Sequence, residues 1–201
     1  MIGGHVAHPL LISLANIQRK HHNKTSNHAF LLVALLPIVQ FVHQNSRIHT
    51  VHSNRLVHQC LNIILEPLKQ AARLGWMMSD LSGNSHLCYT ALASYIIDMP
   101  EAGMLAGVHG LMLHVMMAIY KNFGDSFHHP PRLKQTTLSQ LTSIAMNPVN
   151  VETFFKTCKE FHPNGISNPF WRHWPLSEPS IFFTPELLHY WFHEFYDHDF
   201  G

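Results

Sequence analysis

Ala93-Ser94-Tyr95-Ile96-Ile97-Asp98-Met99-Pro100-Glu101-Ala102 is the stretch on which the fold reading turns. Tyr and Ile favour a strand, and Pro100, which has no N–H to give to a ladder, ends it. The pattern predicts a strand over residues 91–97 that delivers Asp98 at its C-terminal edge. A rigid strand tip is a place from which a carboxylate can face a metal or a substrate. Strand-end aspartates are also common turn formers, so the local pattern leaves both roles open.

Working outward, residues 8–15 (His-Pro-Leu-Leu-Ile-Ser-Leu-Ala) read as a buried strand after Pro9. Residues 16–26 are polar and basic, with Arg19, Lys20 and Lys24, and read as a loop or hairpin connection. Residues 30–36 form a second strand closed by Pro37. From 48 to 74 the apolar spacing becomes helical, Pro67 kinks or splits that helix, and Gly75 stops it. Residues 76–79 and 85–89 fit short strands around the turn Asp80-Leu81-Ser82-Gly83-Asn84. Residues 102–119 read as loosely helical, and 137–146 and 151–161 as two short helices. Thr184-Pro185-Glu186 has the form of a helix start, with an N-cap, proline at the first position and an acid in the first turn. Strand, strand, helix, strand and then a helical block predict an α/β core with a mostly α-helical insertion.

The 201 residues suffice for one domain with an insertion, and 46% hydrophobic content argues against disorder. A net charge of +1, from 13 basic and 12 acidic residues, is no polyanion-binding signature by itself. Three unclustered cysteines, Cys60, Cys88 and Cys158, indicate neither a disulfide framework nor a zinc knuckle and fit a reducing compartment. The apolar run 29–42 contains Pro37 and Gln40 and falls short of the roughly 20 residues that cross a bilayer, so it reads as a buried strand. The N-terminus has neither the basic region nor the apolar core of a signal peptide. An intracellular protein with no membrane partner and no small-molecule substrate is the expectation.

Nineteen histidines accompany only six arginines. They invite a metal-binding or pH-sensing reading, although they are scattered through every segment. Glu186, His189 and His193 fall at i, i+3 and i+7, one face of a helix, and are the candidate ligands for a transition metal. Packing of the neighbouring Trp191, Phe192 and Phe195 explains the same helix without a metal. Arg19, Lys20, Lys24, Arg132 and Lys134 are the candidate phosphate contacts. Trp171 and Trp174 around Arg172 offer a stacking surface for bases or, more simply, core packing. The methionines of 104–117 are most simply packing.

Several blocks, in order, resemble the Plavaka transposases, a fungal group related to the CACTA transposases. They include His8-Pro9-Leu10-Leu11-Ile12-Ser13-Leu14-Ala15-Asn16-Ile17, Ala34-Leu35-Leu36-Pro37, the Asp98 block and Tyr120-Lys121-Asn122-Phe123-Gly124-Asp125. Pro130-Pro131-Arg132, Pro169-Phe170-Trp171-Arg172-His173-Trp174-Pro175-Leu176 and Phe183-Thr184-Pro185-Glu186-Leu187-Leu188-His189 continue the series, which Asp197-His198-Asp199 closes. The resemblance implies a DDE nuclease and strand transferase on an RNase H-like fold. There, two aspartates and a glutamate hold two Mg²⁺ ions for attack on a DNA phosphodiester, because hard cations prefer carboxylate oxygens. It aligns Asp98 with the second aspartate, at the end of the fourth strand, and makes Asp98 the catalytic candidate and an Mg²⁺ ligand.

The same resemblance puts the first aspartate upstream of the His8 block and the glutamate downstream of Leu187-Leu188-His189. Glu186-Leu187-Leu188-His189 is similar to the Asp-x-x-His motif of the wider superfamily, with Glu for Asp. Relatives place a cysteine pair after the second aspartate, where this chain reads Gly110-Leu111-Met112-Leu113-His114. The expectation is therefore an incomplete RNase H-like core lacking its first strand and last catalytic helix. Its parts would be a core over 1–99, a helical insertion and aromatic connector over 100–183, and a C-terminal helix over 184–201. A lost interior strand would expose an edge and core surface. One carboxylate cannot hold two Mg²⁺ ions, so a truncated, inactive remnant is expected, nuclear if functional, with DNA as the ancestral partner and Mg²⁺ as an ancestral cofactor no longer held tightly. The alternatives are a non-catalytic DNA-binding or interaction protein and a histidine-rich metal-binding protein.

Overall fold

A computed structural model describes residues 6–38, 45–109, 112–144, 154–156, 158 and 164–185. Within them the chain is mixed α/β, with three two-stranded sheets and several helices.

Strands β1 (Ala7–Ile12) and β2 (Leu31–Pro37) pair antiparallel, with a register irregularity between Leu10 and Leu11. Their connection carries the short helix α1 (Arg19–His22) and a 3₁₀ turn at Thr25–Asn27. The expectation that 29–42 is a buried strand needs correction. Of β2, only Leu36 is buried, while Leu31, Leu32 and Leu35 are each more than half exposed. A two-stranded ribbon offers few positions for contact with the core, so alternation alone does not bury the rest.

Helix α2 (Ser46–Ile64) begins at Asn45, whose side chain accepts the Arg47 and Ile48 N–H groups. Pro67 does divide the long helix: α2 ends before Leu65, and α3 (Glu66–Leu74) starts with Pro67 in its first turn. Gly75, at φ 75°, then turns the chain into β3 (Trp76–Ser79). A Cβ there would lie 2.7 Å from Leu87 Cδ1, so both the backbone angle and the close approach require glycine. Strand β4 (Ser85–Cys88) returns antiparallel around a turn in which Asp80 accepts the Ser82 and Asn84 N–H groups.

Strand β5 (Tyr95–Ile97) precedes helix α4 (Met99–Ala106). The region read as loosely helical is helix only up to Ala106; beyond it run isolated bridges, Met112 to Ile119 and Met116 to Pro131, and a 3₁₀ turn at Tyr120–Asn122. Helix α5 (Lys134–Ser143) follows, then the short α6 (Pro179–Phe182) and β6 (Phe183–Pro185). Thr184 and Pro185, expected to open a helix, lie in this strand, and the rest of the helix expected over 184–201 falls outside the described residues. Residues 183–185 pair in parallel with 95–97, Tyr95 opposite Phe183 and Ile97 opposite Pro185. The Ser94 and Thr184 hydroxyls reinforce that pairing at 2.6 Å.

Leu61 and Leu65 from the α2–α3 junction, Ile97, Leu105, Phe170, Trp171, Trp174, Phe182 and Phe183 form one buried cluster. The aromatic connector is thus the centre of the core. Trp171 and Trp174 are almost fully buried, and their indole N–H groups donate to the carbonyls of Leu105 and Thr90 at 2.9 and 3.1 Å. Packing, and not a base-stacking surface, is their role, because rings buried to this degree present no open face to a base.

Candidate functional site

Asp98 lies directly after β5, at the C-terminal edge of the parallel pair, and its side chain is exposed. It is also the N-cap of α4. Its Oδ1 accepts the Glu101 N–H at 2.9 Å, while Pro100, in the first turn, has no N–H to satisfy. Of the two readings of the strand-end aspartate, the geometry displays the local one: Asp98 follows the strand and caps the helix. Capping predicts a clean separation by mutation. Asp98→Ala should lower stability by about 1 kcal/mol, whereas Asp98→Asn, which keeps an acceptor, should stay within a few tenths. Thermal unfolding of the two variants measures this; equal losses would remove the capping role.

Glu101 is a neighbour that sequence reasoning passed over as a site residue. It is half-buried, and burial first, then the Asp98 charge, raise its carboxyl above the usual range, while His8 of β1 pulls it back. The signal was present as Asp98-x-x-Glu101, an N-cap followed by an acid three residues on. The packing of β1 near the start of α4, which brings His8 into range, was not.

Two neighbouring carboxylates are a poor fit to an Mg²⁺ site. A hard cation of this kind takes six oxygens in a near-octahedral shell, Asp98 Oδ1 is already committed to the cap, and burial of Glu101 disfavours its charged form. Among the described residues no three His, Cys, Asp or Glu side chains come together in a way that could hold a metal. Glu186, His189 and His193 lie outside the described residues.

The five candidate phosphate contacts separate into two groups. Arg19, Lys20 and Lys24 are exposed on the β1–β2 connection, and no ion pair reaches them among the described residues. Arg132 is a correction: it is 1% exposed, and its Nε donates to the Leu113 carbonyl. Burial pushes its guanidinium down to about 10, and its Nη2 has no hydrogen-bond partner. Residues 113–115 fold over it, with its own N–H bonded to the Val115 carbonyl. An arginine used in this way braces the chain and does not meet a phosphate. Lys134 is half-buried, and its ammonium donates to the Trp174 carbonyl at 2.6 Å. Its backbone N–H donates to Glu178, so the residue ties the start of α5 to the aromatic connector.

His58, on α2, is buried against α4 and the connector. Its Nδ1 accepts the Phe170 N–H at 3.0 Å, which leaves Nε2 to carry the proton toward the Met104 carbonyl at 3.3 Å. No helix among the described residues is long and apolar enough to cross a membrane. Neither a curated protein nor a solved structure matches the chain. The family model of the Plavaka transposases does match it, over residues 1–201. With Asp98 at the strand edge inside a match of that extent, the chain belongs to the Plavaka transposase family.

Proposed function

We propose that this chain is a transposase-derived DNA-binding segment of an RNase H-like catalytic domain, and that its 201 residues by themselves do not cut DNA. The family match along the whole chain carries the first half of this reading. The parallel pairing of β5 with β6 across a long insertion, with Asp98 at the strand edge, supports the RNase H-like core. In such a core, neighbouring parallel strands need a crossover between them. Asp98 then corresponds to the second of the three catalytic acids, and Mg²⁺ is not held tightly by this chain. DNA is the partner and the nucleus is the place of work. Its phosphates run along Arg19, Lys20 and Lys24, the three candidate cations left exposed.

The experiment is a plasmid-nicking assay with the purified chain in Mg²⁺ and in Mn²⁺, alongside a gel shift on duplex DNA. No nicking in either metal, together with a shift that weakens as salt rises, is the expected result. Metal-dependent nicking that Asp98→Asn abolishes would overturn the inactivity. A shift that ignores salt, or none at all, would overturn the DNA-binding role.

A further inference from the structure

The aromatic connector buries Trp171 and Trp174 and brings outward the two residues between them. The backbone turns tightly there, with the Arg172 N–H on the Pro169 carbonyl at 3.0 Å and the Trp174 N–H on the Trp171 carbonyl at 3.2 Å. His173 is left exposed and Arg172 half-buried. Both flanking indoles are anchored by their own hydrogen bonds to Leu105 and Thr90, so the turn is fixed before any ligand arrives.

Two helices bring further positive charge to this turn. Lys134, at the start of α5, donates its ammonium to the Trp174 carbonyl. Helix α3 is tied to the same place through Thr90, whose hydroxyl donates to the Leu68 carbonyl while its own carbonyl takes the Trp174 indole N–H. It carries Lys69 and Arg73. The His173 ring registers the convergence: loss of solvent first, then the charges of Arg172, Lys69, Arg73 and Lys134, hold it below its ordinary value. Two carboxylates stand against these four cations. Glu66, the first acid of the chain, pairs with Arg73 at 2.6 Å and lies 3.9 Å from Lys69, and Glu178 accepts the Lys134 backbone N–H.

Arg172 is the cation that remains available. Its Nη1 donates to the Ser167 carbonyl at 3.2 Å, and no carboxylate pairs with it among the described residues. Lys69 is buried and spends its ammonium on Asn62 at 2.6 Å, so it and Lys134 contribute field at the turn and no contact. Arg172 also lines a groove of about 530 Å³ whose other lining residues are Gln135, Leu138, Ser139, Thr142 and Ser143, one face of α5. That helix has no acid, and its lining is mostly amide and hydroxyl. An uncharged polar wall facing an unpaired guanidinium suits an anionic oxygen ligand.

We propose that Arg172, held by the connector turn beside the α5 groove, is a phosphate contact for DNA, in addition to the cations of the β1–β2 connection. The proposal rests on the DNA-binding reading above and gives it a contact whose position the core fixes. A guanidinium fork matches two phosphate oxygens at once, which an ammonium does not. Each phosphate contact steepens the dependence of log affinity on log salt by about 0.9.

The test is fluorescence anisotropy with a labelled duplex of about 20 base pairs, in salt from about 50 to 200 mM. R172Q should weaken binding about tenfold at the low end and about threefold at the high end, which lowers the slope by about 0.9. S139E leaves Arg172 and its bond to Ser167 in place but sets a carboxylate in the groove, and it should weaken binding in the same direction. K121Q removes an exposed cation from the 3₁₀ turn at 120–122 and should leave the slope unchanged. An unaltered slope in R172Q overturns the proposal while leaving DNA binding in place. So does a loss in R172Q that S139E does not share, since bracing of Ser167 would then explain it, and so does an equal loss in K121Q, which would make the effect one of net charge. Failure of the unaltered protein to bind overturns the DNA-binding reading, and this inference with it.

Discussion

Trp171→Ala is expected to cost the protein a large share of its stability. The indole is completely buried at the centre of the cluster that joins α2, α4, β5 and β6. Removing it costs about 3–5 kcal/mol in lost packing and cavity formation. It also leaves the buried Leu105 carbonyl without its donor, which adds about 1–3 kcal/mol. Against a typical stability of about 5–15 kcal/mol, a loss of this size removes a large share of the margin. Trp171→Phe keeps much of the ring volume and loses mainly the hydrogen bond, so it should cost clearly less. Urea unfolding followed by far-UV circular dichroism checks both variants. A Trp171→Ala midpoint close to that of the unaltered protein would mean that the connector is not the keystone of the core.

The second large effect is a loss of stability in acid. Burial holds His58 down to about 4, with the Met104 carbonyl opposing the shift. Its Nδ1 is occupied as an acceptor by the Phe170 N–H, so a second proton has no place on the ring without breaking that bond. The unfolded chain binds this proton from about pH 6.5 downward and the folded chain only from about 4. The stability is therefore complete above pH 6.5 and declines as pH falls toward 4, by up to about 3 kcal/mol. His114 is lowered in the same direction, by burial first and by the Arg132 charge second, and it adds to the same window. Urea midpoints at pH 7.5, 5.5 and 4.5 should fall steadily. His58→Gln removes the titration and should flatten that slope, although it starts from lower stability. An identical slope in His58→Gln would assign the acid sensitivity elsewhere.

These two expectations rest on residues whose importance the sequence shows unevenly. Pro67 divides the long helix because a proline in its interior removes a hydrogen bond whatever surrounds it, and α2 and α3 do part at Leu65. Gly75 and the Asp80 turn shape the β3–β4 hairpin through equally local rules. Residues 183–185 went the other way. Proline after threonine favours a helix start, but pairing with β5, nearly 90 residues earlier, made a strand of them. Arg132 misled for the same reason, since nothing in Pro130-Pro131-Arg132 shows that residues 113–115 will cover it. Trp171 and Trp174 were legible as core or as a stacking surface, and the acceptors that settled the matter, Leu105 and Thr90, lie 66 and 84 positions away.

By itself the sequence determined where helices break and turns form, which blocks carry the family likeness, and that the first 65 residues hold no acid. The break at Pro67 and the turns at Gly75 and Asp80 follow from neighbouring residues, and the rest from composition, with no contact across the chain needed. The tertiary structure alone decided that Asp98 caps a helix while ending a strand, that Glu101 and His8 share its neighbourhood, and which cations stay in water. Burial and distance depend on segments far apart in the chain meeting, and that meeting is set by the packing of the whole core.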